Sequence, residues 1–559
     1  MPLTTISSDD VDEKFQQKMK EIKDDDLERA SNEKAGILGL PYINLQNFPV
    51  SPDAISLLTE EKAKDMGAVC FFYTREEFRI GFFDENNFDK IKELIDELHK
   101  KTGAHGVAYL ISKNSYLRAL KVYIAIPKLH LVSKGISITG EDIDKFRSGI
   151  GDLKQLQEKI KEVSLTELMT LIIASSLQMR ASDIHIEVEE HDVKLRFRID
   201  GILHDVASID KNDWPKIISR IKLISKLKLN VVNRPQDGRF TILLKDGDID
   251  VRVSALPTTW GESVVMRILS SSVQGLRFDN LGLRKKSFED LEREIKKPNG
   301  MIITTGPTGS GKTTTLYAML NKLNSEGSKI ITLEDPIEYK LEGINQSQVD
   351  EYKGYTFAKG LRSILRQDPD IVMVGEIRDD ETADIAINAS LTGHLVISTI
   401  HTNSASGAVP RFMALNAKPY LLAPALNAII GQRLLRRICQ DCRKEYIISD
   451  EEREEIKKII LSIPENSGEK TPPLEEIKFY KPVGCEKCNN LGYKGRVGVY
   501  EVMILTEEIK QTILDAKNIS EYHIQELAQR QGMITMRQDG VLKAMEGITT
   551  LEEIFRVTK

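Results

Sequence analysis

MIITTGPTGSGKTTTLYAML, residues 301–320, decides how this chain is read. Its first five residues are an apolar strand, and Leu316, Met319, Leu320 and Leu323 then fall on one face at helical spacing. Between them lies Gly306-Pro307-Thr308-Gly309-Ser310-Gly311-Lys312-Thr313, the GxxxxGK[ST] pattern in a strand–loop–helix context, followed by Thr314. Glycines there let the backbone curl so that successive N–H groups and the helix N-terminus surround phosphates. Lys312 supplies a point charge to the β/γ oxygens, and the Thr313 hydroxyl is a ligand for Mg²⁺. The segment predicts a site for ATP and magnesium.

Working outward, the apolar stretches 301–304, 330–333, 371–374 and 395–398 are short and continuous, and helical-period segments separate them. Strands of that kind are buried on both faces, so the expected fold is α/β with a parallel sheet covered by helices. Two of these strands end in acids: IITLEDPIE at 330–338 and DIVMVGEIRD at 370–379. In an open parallel sheet, ligands sit beyond the carboxyl ends of the strands, where both acids converge on the phosphates. Hydrolysis needs one carboxylate to orient and deprotonate water and another to hold the magnesium shell. Glu334 is assigned the first task and Glu376 the second, while Asp335 and Asp379 read equally well as helix caps. TGHLVISTIHTN, residues 392–403, places His394 and His401 at either end of a strand, in position to sense the γ-phosphate or simply to pack.

Arginines collect upstream: Arg234 and Arg239 in NRPQDGR, Arg252 in DVRVS and Arg267 in VVMRIL. Downstream, Arg362 and Arg366 share a helical face. Guanidinium stabilises charge on a transferring phosphoryl group, often from a neighbouring subunit; solvated surface is the alternative for each. Cys439-Gln-Asp-Cys442 and Cys485-Glu-Lys-Cys488 form two CxxC pairs separated by 42 residues. Four thiolates in two knuckles select Zn²⁺ at a closed structural site, whereas a redox motif needs one pair only. Cys70 stands alone in an apolar run and reads as core.

At 559 residues, with 41% hydrophobic and 29% charged side chains, the chain is multidomain and globular. Its 78 basic and 84 acidic residues give a net charge of −6, which supplies no global field for nucleic acid, so no direct nucleic-acid contact is expected. No apolar run approaches the roughly 18–20 residues of a membrane span. The acidic N-terminus also lacks the pattern of a secretory leader, so a cytoplasmic location is expected.

The set GPTGSGKTTTLY, ITLEDPIEY, DPDIVMVGEIRD and TGHLVISTIHTN closely resembles the secretion ATPases that drive type II secretion and type IV pilus assembly. ASDIHIE, RFRIDG, RPQDGRF and DVRVSALPT are similar to that family's arginine-bearing domain, and the CxxC pairs to its metal insertion. The resemblance implies a RecA-like P-loop ATPase domain preceded by two smaller α+β domains, the second PAS-like, and carrying a tetracysteine zinc insertion. The expected divisions are a flexible acidic tail over 1–33, a docking or regulatory domain over 34–132, a linker over 133–154 and the arginine-bearing domain over 155–285. The ATPase core follows over 286–435, the zinc module over 436–500 and a helical region over 501–559. The resemblance also implies a homo-hexamer that turns an inner-membrane platform protein, peripheral at the membrane through such partners. In it Glu334 is the catalytic acid, Glu376 lies in the Walker B box, His394 and His401 lie in the histidine box, and the arginines close the site. Having both an N-terminal domain and a cysteine module resembles the pilus-extension and secretion members. A nucleotide-gated scaffold and a DNA translocase are the alternatives.

Overall fold

The computed structural model describes residues 26–46, 48, 50, 52–55, 57–74, 77–125, 153–160, 163–244, 247–270, 277–473, 476–515 and 519–558. The chain divides into two compact units, Met1–Gly135 and Ile136–Lys559. Most of the expected acidic tail and nearly all of the expected linker lie outside the described residues.

In the first unit, β1 (Ala68–Tyr73) pairs antiparallel with β2 (Glu77–Phe82), which pairs parallel with β3 (His105–Leu110). The amphipathic helix Phe88–Thr102 makes the crossover and buries Ile91, Leu94 and Leu98 against the sheet. Cys70 is fully buried in this core, as its apolar context predicts. The end of the expected tail behaves differently: residues 26–38 are helical, and Glu28 is buried. Its carboxylate accepts from Ser112 Oγ at 2.5 Å, from Ser115 Oγ at 2.9 Å and from the Tyr42 hydroxyl. A helix with one well-satisfied acid and Ala35 in the core thus joins the domain from a stretch whose charge content reads as solvated.

The second unit begins with a six-stranded antiparallel sheet ordered β6-β5-β4-β9-β8-β7. Its strands are β4 (Ala181–Val188), β5 (Val193–Ile199), β6 (Ile202–Ile209), β7 (Gln236–Ile242), β8 (Ile249–Thr258) and β9 (Gly261–Ser270). Along β5, Val193, Leu195, Phe197 and Ile199 point inward, and the period of two gives the sheet one apolar face. Leu168 and Ile172 of the helix Leu165–Gln178, with Ile217 and Ile221 of the helix Trp214–Ile224, share that core. On the other face the register places Arg239 opposite Arg252, Arg252 opposite Arg267, and Arg267 opposite Asp183. Like charges directly opposite one another destabilise a sheet, so this arginine row is retained at a cost.

A seven-stranded sheet follows, ordered β12-β11-β13-β14-β10-β15-β18. Its members are β10 (Gly300–Thr305), β11 (Ile330–Glu334), β12 (Asn345–Gln348), β13 (Ile371–Val374), β14 (Leu395–Ile400), β15 (Leu426–Ile438) and β18 (Tyr493–Ile504). All neighbours run parallel except β15 and β18. Successive side chains feed opposite cores, Met301 and Ile303 on one face and Ile302 on the other, which is why these strands read as unbroken apolar runs. The cysteine segment, with the short antiparallel ribbon of β16 (Lys444–Tyr446) and β17 (Phe479–Lys481), is inserted between β15 and β18. The large sheet therefore extends past residue 435 and resumes at Tyr493, inside the stretch expected to be zinc module. Among the described residues no helix is long and apolar enough to cross a membrane.

Candidate active site

The P-loop follows β10 directly and runs into the helix Lys312–Leu323. Pro307, Thr308, Gly309 and Thr314 are exposed, Gly311, Lys312 and Thr313 half-buried, and Ser310 buried. Gly306 has φ +146°, and a Cβ there would lie 2.6 Å from the Gln432 carbonyl oxygen, so a side chain has neither conformation nor room. Lys312 Nζ donates to the carbonyls of Gly306 at 2.8 Å and Pro307 at 3.2 Å, which aims the ammonium along the loop. Burial lowers the Lys312 pKa; the Glu376 carboxylate opposes this, and the Arg433 guanidinium adds to it. Among the described residues no carboxylate forms an ion pair with Lys312, which leaves its charge to be met by an anion.

Register brings the other groups to the same edge. Thr305 pairs with Ile400 and Val374 with Ser398, so β10, β13 and β14 end together. Glu376, just past β13, is 12% exposed and is contacted by Arg378 and by His401 Nε2 at 3.1 Å. The Thr402 amide donates to Thr305 Oγ1 at 3.1 Å, which ties the segment after β14 to the base of the P-loop. His394 is not in this group. It precedes β14 at the end paired with Gly300, roughly 20 Å away along six residues at about 3.3 Å each, and its Nδ1 donates to Ala389 O at 3.0 Å. The two histidines were expected to serve the phosphates together; a parallel strand separates them.

Glu334 also departs from the expected arrangement. It is 3% exposed, and its carboxylate accepts from Thr332 Oγ1 at 2.5 Å, from Gln346 Nε2 at 3.1 Å and from the Tyr317 hydroxyl. As the last residue of β11 it points into the core beneath the P-loop helix, where burial and that hydrogen bond push the Tyr317 pKa up. The reachable acids of this turn are Asp335 and Glu338. Glu338 faces the arginine sheet: Arg252 Nη1 lies 3.2 Å from its Oε2, and Arg252 Nη2 donates to Ile337 O at 2.7 Å. Arg267 pairs with Asp183 at 2.9 Å and also feels Glu338, while Arg239 is exposed beside Arg252. Arg362 and Arg366 take other partners, Glu381 at 2.7 Å and Ser363 Oγ at 3.2 Å, both on exposed helical surface.

Sequence reasoning passed over Glu338, Asn403 and Arg433. Arg433 donates through Nη2 to Asn403 O at 3.0 Å and through Nη1 to Gln432 O at 3.1 Å, beside Gly306. In the sequence it sits in an apolar run of β15, and only its closeness to the P-loop across the sheet distinguishes it.

The four CxxC sulfurs all lie within 4.8 Å of one another. Cys439 to Cys485 measures 3.9 Å, Cys442 to Cys488 3.8 Å and Cys485 to Cys488 3.7 Å. Tetrahedral ligands at about 2.3 Å from a metal stand about 3.8 Å apart, so the cluster fits a tetrathiolate ion. The amides of Gly484, Cys485 and Gly492 donate to these sulfurs at 3.2–3.3 Å, the support that ligating thiolates need.

Residues 158–556 match the profile of the family described as Type II/IV secretion system protein. The chain belongs to that family. It is 38% identical over 519 residues to the type IV pilus assembly ATPase PilB of Myxococcus xanthus, covering 92% of this chain and 88% of that one. It is 43% identical over 422 residues to the type II secretion system protein E of Dickeya dadantii, covering 75% and 81%. Among solved structures, the ATPase DotB of Yersinia pseudotuberculosis shares the fold, with a TM-score of 0.51, 18% identity and coverage of 70% of this chain and 94% of that one. As a member of the secretion ATPases, the chain is an ATP-hydrolysing enzyme of the α/β P-loop class that uses nucleotide and magnesium.

Proposed function

We propose that this secretion ATPase is the extension motor of a type IV pilus. The observation that carries the reading is the span of the Myxococcus xanthus match, which runs through 92% of this chain and so takes in most of the first unit, whereas the Dickeya dadantii match covers 75%. The motor works as a homo-hexamer on the cytosolic side of the inner membrane, turning a platform protein.

At the site, the P-loop amides and Lys312 bind the phosphates, and Thr313 and Glu376 are the side chains that would hold magnesium. Magnesium supplies charge neutralisation on the β- and γ-oxygens. Glu338 takes the water-orienting role first expected of Glu334, because it is the acid of the turn that meets both solvent and the arginine row. Glu334 anchors the P-loop helix to β11. Arg252 neutralises charge on the γ-phosphoryl oxygens together with Arg267 and Arg239, whose exposure suits a site completed by an adjacent subunit. His401 orients Glu376. Cys439, Cys442, Cys485 and Cys488 would hold zinc as a structural cross-link.

The test adds the cytosolic domain of a pilus platform protein, or that of a type II secretion platform, to the purified full chain and follows phosphate release. Stimulation by the pilus domain alone is expected; stimulation by the secretion domain alone overturns the pilus reading.

A further inference from the structure

The segment after β14, residues 401–406, is held from five directions. His401 meets Glu376, Thr402 meets Thr305, Asn403 meets Arg433, and Ser404 Oγ donates to Glu521 of the helix Glu521–Arg530. The fifth hold is Glu501 of β18, whose Oε1 accepts the Ala405 amide at 2.5 Å.

Glu501 is 4% exposed and stands opposite Gly431 of β15. It forms no ion pair among the described residues; Arg433 acts on it only at longer range. A Cβ on Gly431 would lie 2.7 Å from both Glu501 Cγ and Oε1 and 3.0 Å from the Ala405 nitrogen. The carboxylate reaches the loop through space that only glycine leaves open. Burial pushes its pKa up, and the backbone amides of Ala405 and Met536 counter that rise. An acid buried without a cation is costly to keep, and packing alone would be served by an apolar residue.

We propose that Glu501 is a positioning residue for ATP hydrolysis: through the Ala405 amide it fixes residues 401–406, so that His401 meets Glu376 and Asn403 meets Arg433. This rests on the proposed role of His401 at the site. Among the described residues Glu501 makes no hydrogen bond or ion pair with Glu376 or the P-loop, so its effect on the site passes through the loop. Glu501 also accepts the Met536 amide at the start of the helix Met536–Met545, so one buried side chain joins that C-terminal helix to the catalytic edge.

The experiment is a double-mutant cycle on the full chain with His401→Ala, Glu501→Ala and the pair, reading kcat for ATP and the Kd of MgADP. Glu501→Ala is expected to lower kcat about tenfold or more. MgADP affinity stays within about threefold, because the P-loop is untouched. The pair falls no further than the worse single variant, since both act through one loop. Glu501→Gln, which keeps one oxygen for the Ala405 amide, recovers part of the loss. Should Glu501→Ala fail to fold, Glu501→Gln takes its place in the same cycle. A Glu501 variant turning over at the wild-type rate, losses that multiply in the pair, or a parallel collapse of MgADP binding overturns the proposal. His401→Ala at the wild-type rate overturns the reading of the loop itself, and the inference with it. A slow His401→Ala beside multiplying losses removes only the inference.

Discussion

Exchanging one oxygen for an amide at Glu334 and at Glu338 separates the two acids of the same turn. In Glu334→Gln the site holds three donors, the hydroxyls of Tyr317 and Thr332 and the Gln346 amide, around a group that now brings an N–H₂ of its own. A hydroxyl can turn to accept from that N–H₂, but at least one donor is then left without an acceptor in a buried place, which costs about 1–3 kcal/mol. At about 2–4 °C per kcal/mol for a domain of this size, the melting temperature falls by roughly 2–12 °C. In Glu338→Gln the half-exposed carboxylate loses its pairing with Arg252 and its longer-range attraction for Arg267, so stability changes by less than about 1 kcal/mol. Its loss as the group that orients and deprotonates water lowers kcat by roughly 10²–10⁴, with MgADP affinity kept. Calorimetric unfolding with phosphate-release kinetics on both variants decides the matter. If Glu334→Gln melts like the wild type and is inactive while Glu338→Gln turns over normally, the assignment drawn from burial is wrong.

Arg252→Ala lowers kcat by roughly 10²–10³ and Arg252→Lys does not restore it, because Nη1 and Nη2 engage different partners at once; steady-state kinetics in which lysine serves as well as arginine would refute this. Cys442→Ser loses bound zinc by elemental analysis and speeds hydrogen exchange at Gly484, Cys485 and Gly492, whose amides donate to the sulfurs; unchanged metal content counts against the site. His185 and His204 both titrate below the ordinary histidine range, first through burial and then through Arg198 and Arg436 respectively. Between each folded pKa and about 6.5 the unfolded chain binds a proton that the native state lacks, so stability rises with pH through that window and levels off above it. Melting curves from pH 5.5 to 7.5 test this, and His204→Gln flattens part of the slope.

The P-loop, the four parallel strands first recognised and the two cysteine pairs were legible because each is local. A strand buried on both faces is apolar throughout, a phosphate cradle needs its glycines at fixed spacing, and thiolate knuckles come in pairs. What stayed hidden depends on register. Glu334 and Glu338 are four residues apart in one motif, and only the direction of the last β11 side chain sends one into the core and the other towards Arg252. His394 and His401 look like partners until β14 is laid parallel to β10. Strand β18 follows the cysteine insertion, so nothing local ties its residues to β15, and Glu501 reads as one acid in an ordinary strand. Arg239, Arg252 and Arg267 form a row only once the pairing of three strands is known.

That row also bears on how hydrolysis moves the chain. The arginine sheet is tied to the ATPase body at two separate places. At one, Arg252 holds the Ile337–Glu338 backbone and carboxylate, a contact between charged groups in the turn that follows β11. At the other, the β5–β6 hairpin presents Asp200, whose Oδ2 accepts the Gly495 amide at 2.8 Å, and Leu491 packs against the apolar core of that sheet. The second tie is braced by the cysteine cluster, since the Gly492 amide donates to Cys488 Sγ and the Gly492 carbonyl accepts the Cys439 amide at 3.0 Å. The second tie, an apolar contact and a carboxylate–amide hydrogen bond braced in this way, contains no pair of opposite charges, whereas the first is an arginine–carboxylate pair, whose strength depends on the neighbouring charge. A bound phosphate anion competes with Glu338 for Arg252, so its departure is expected to tighten the first tie and leave the second unchanged, and the sheet is then expected to turn about the cysteine module rather than detach from the body.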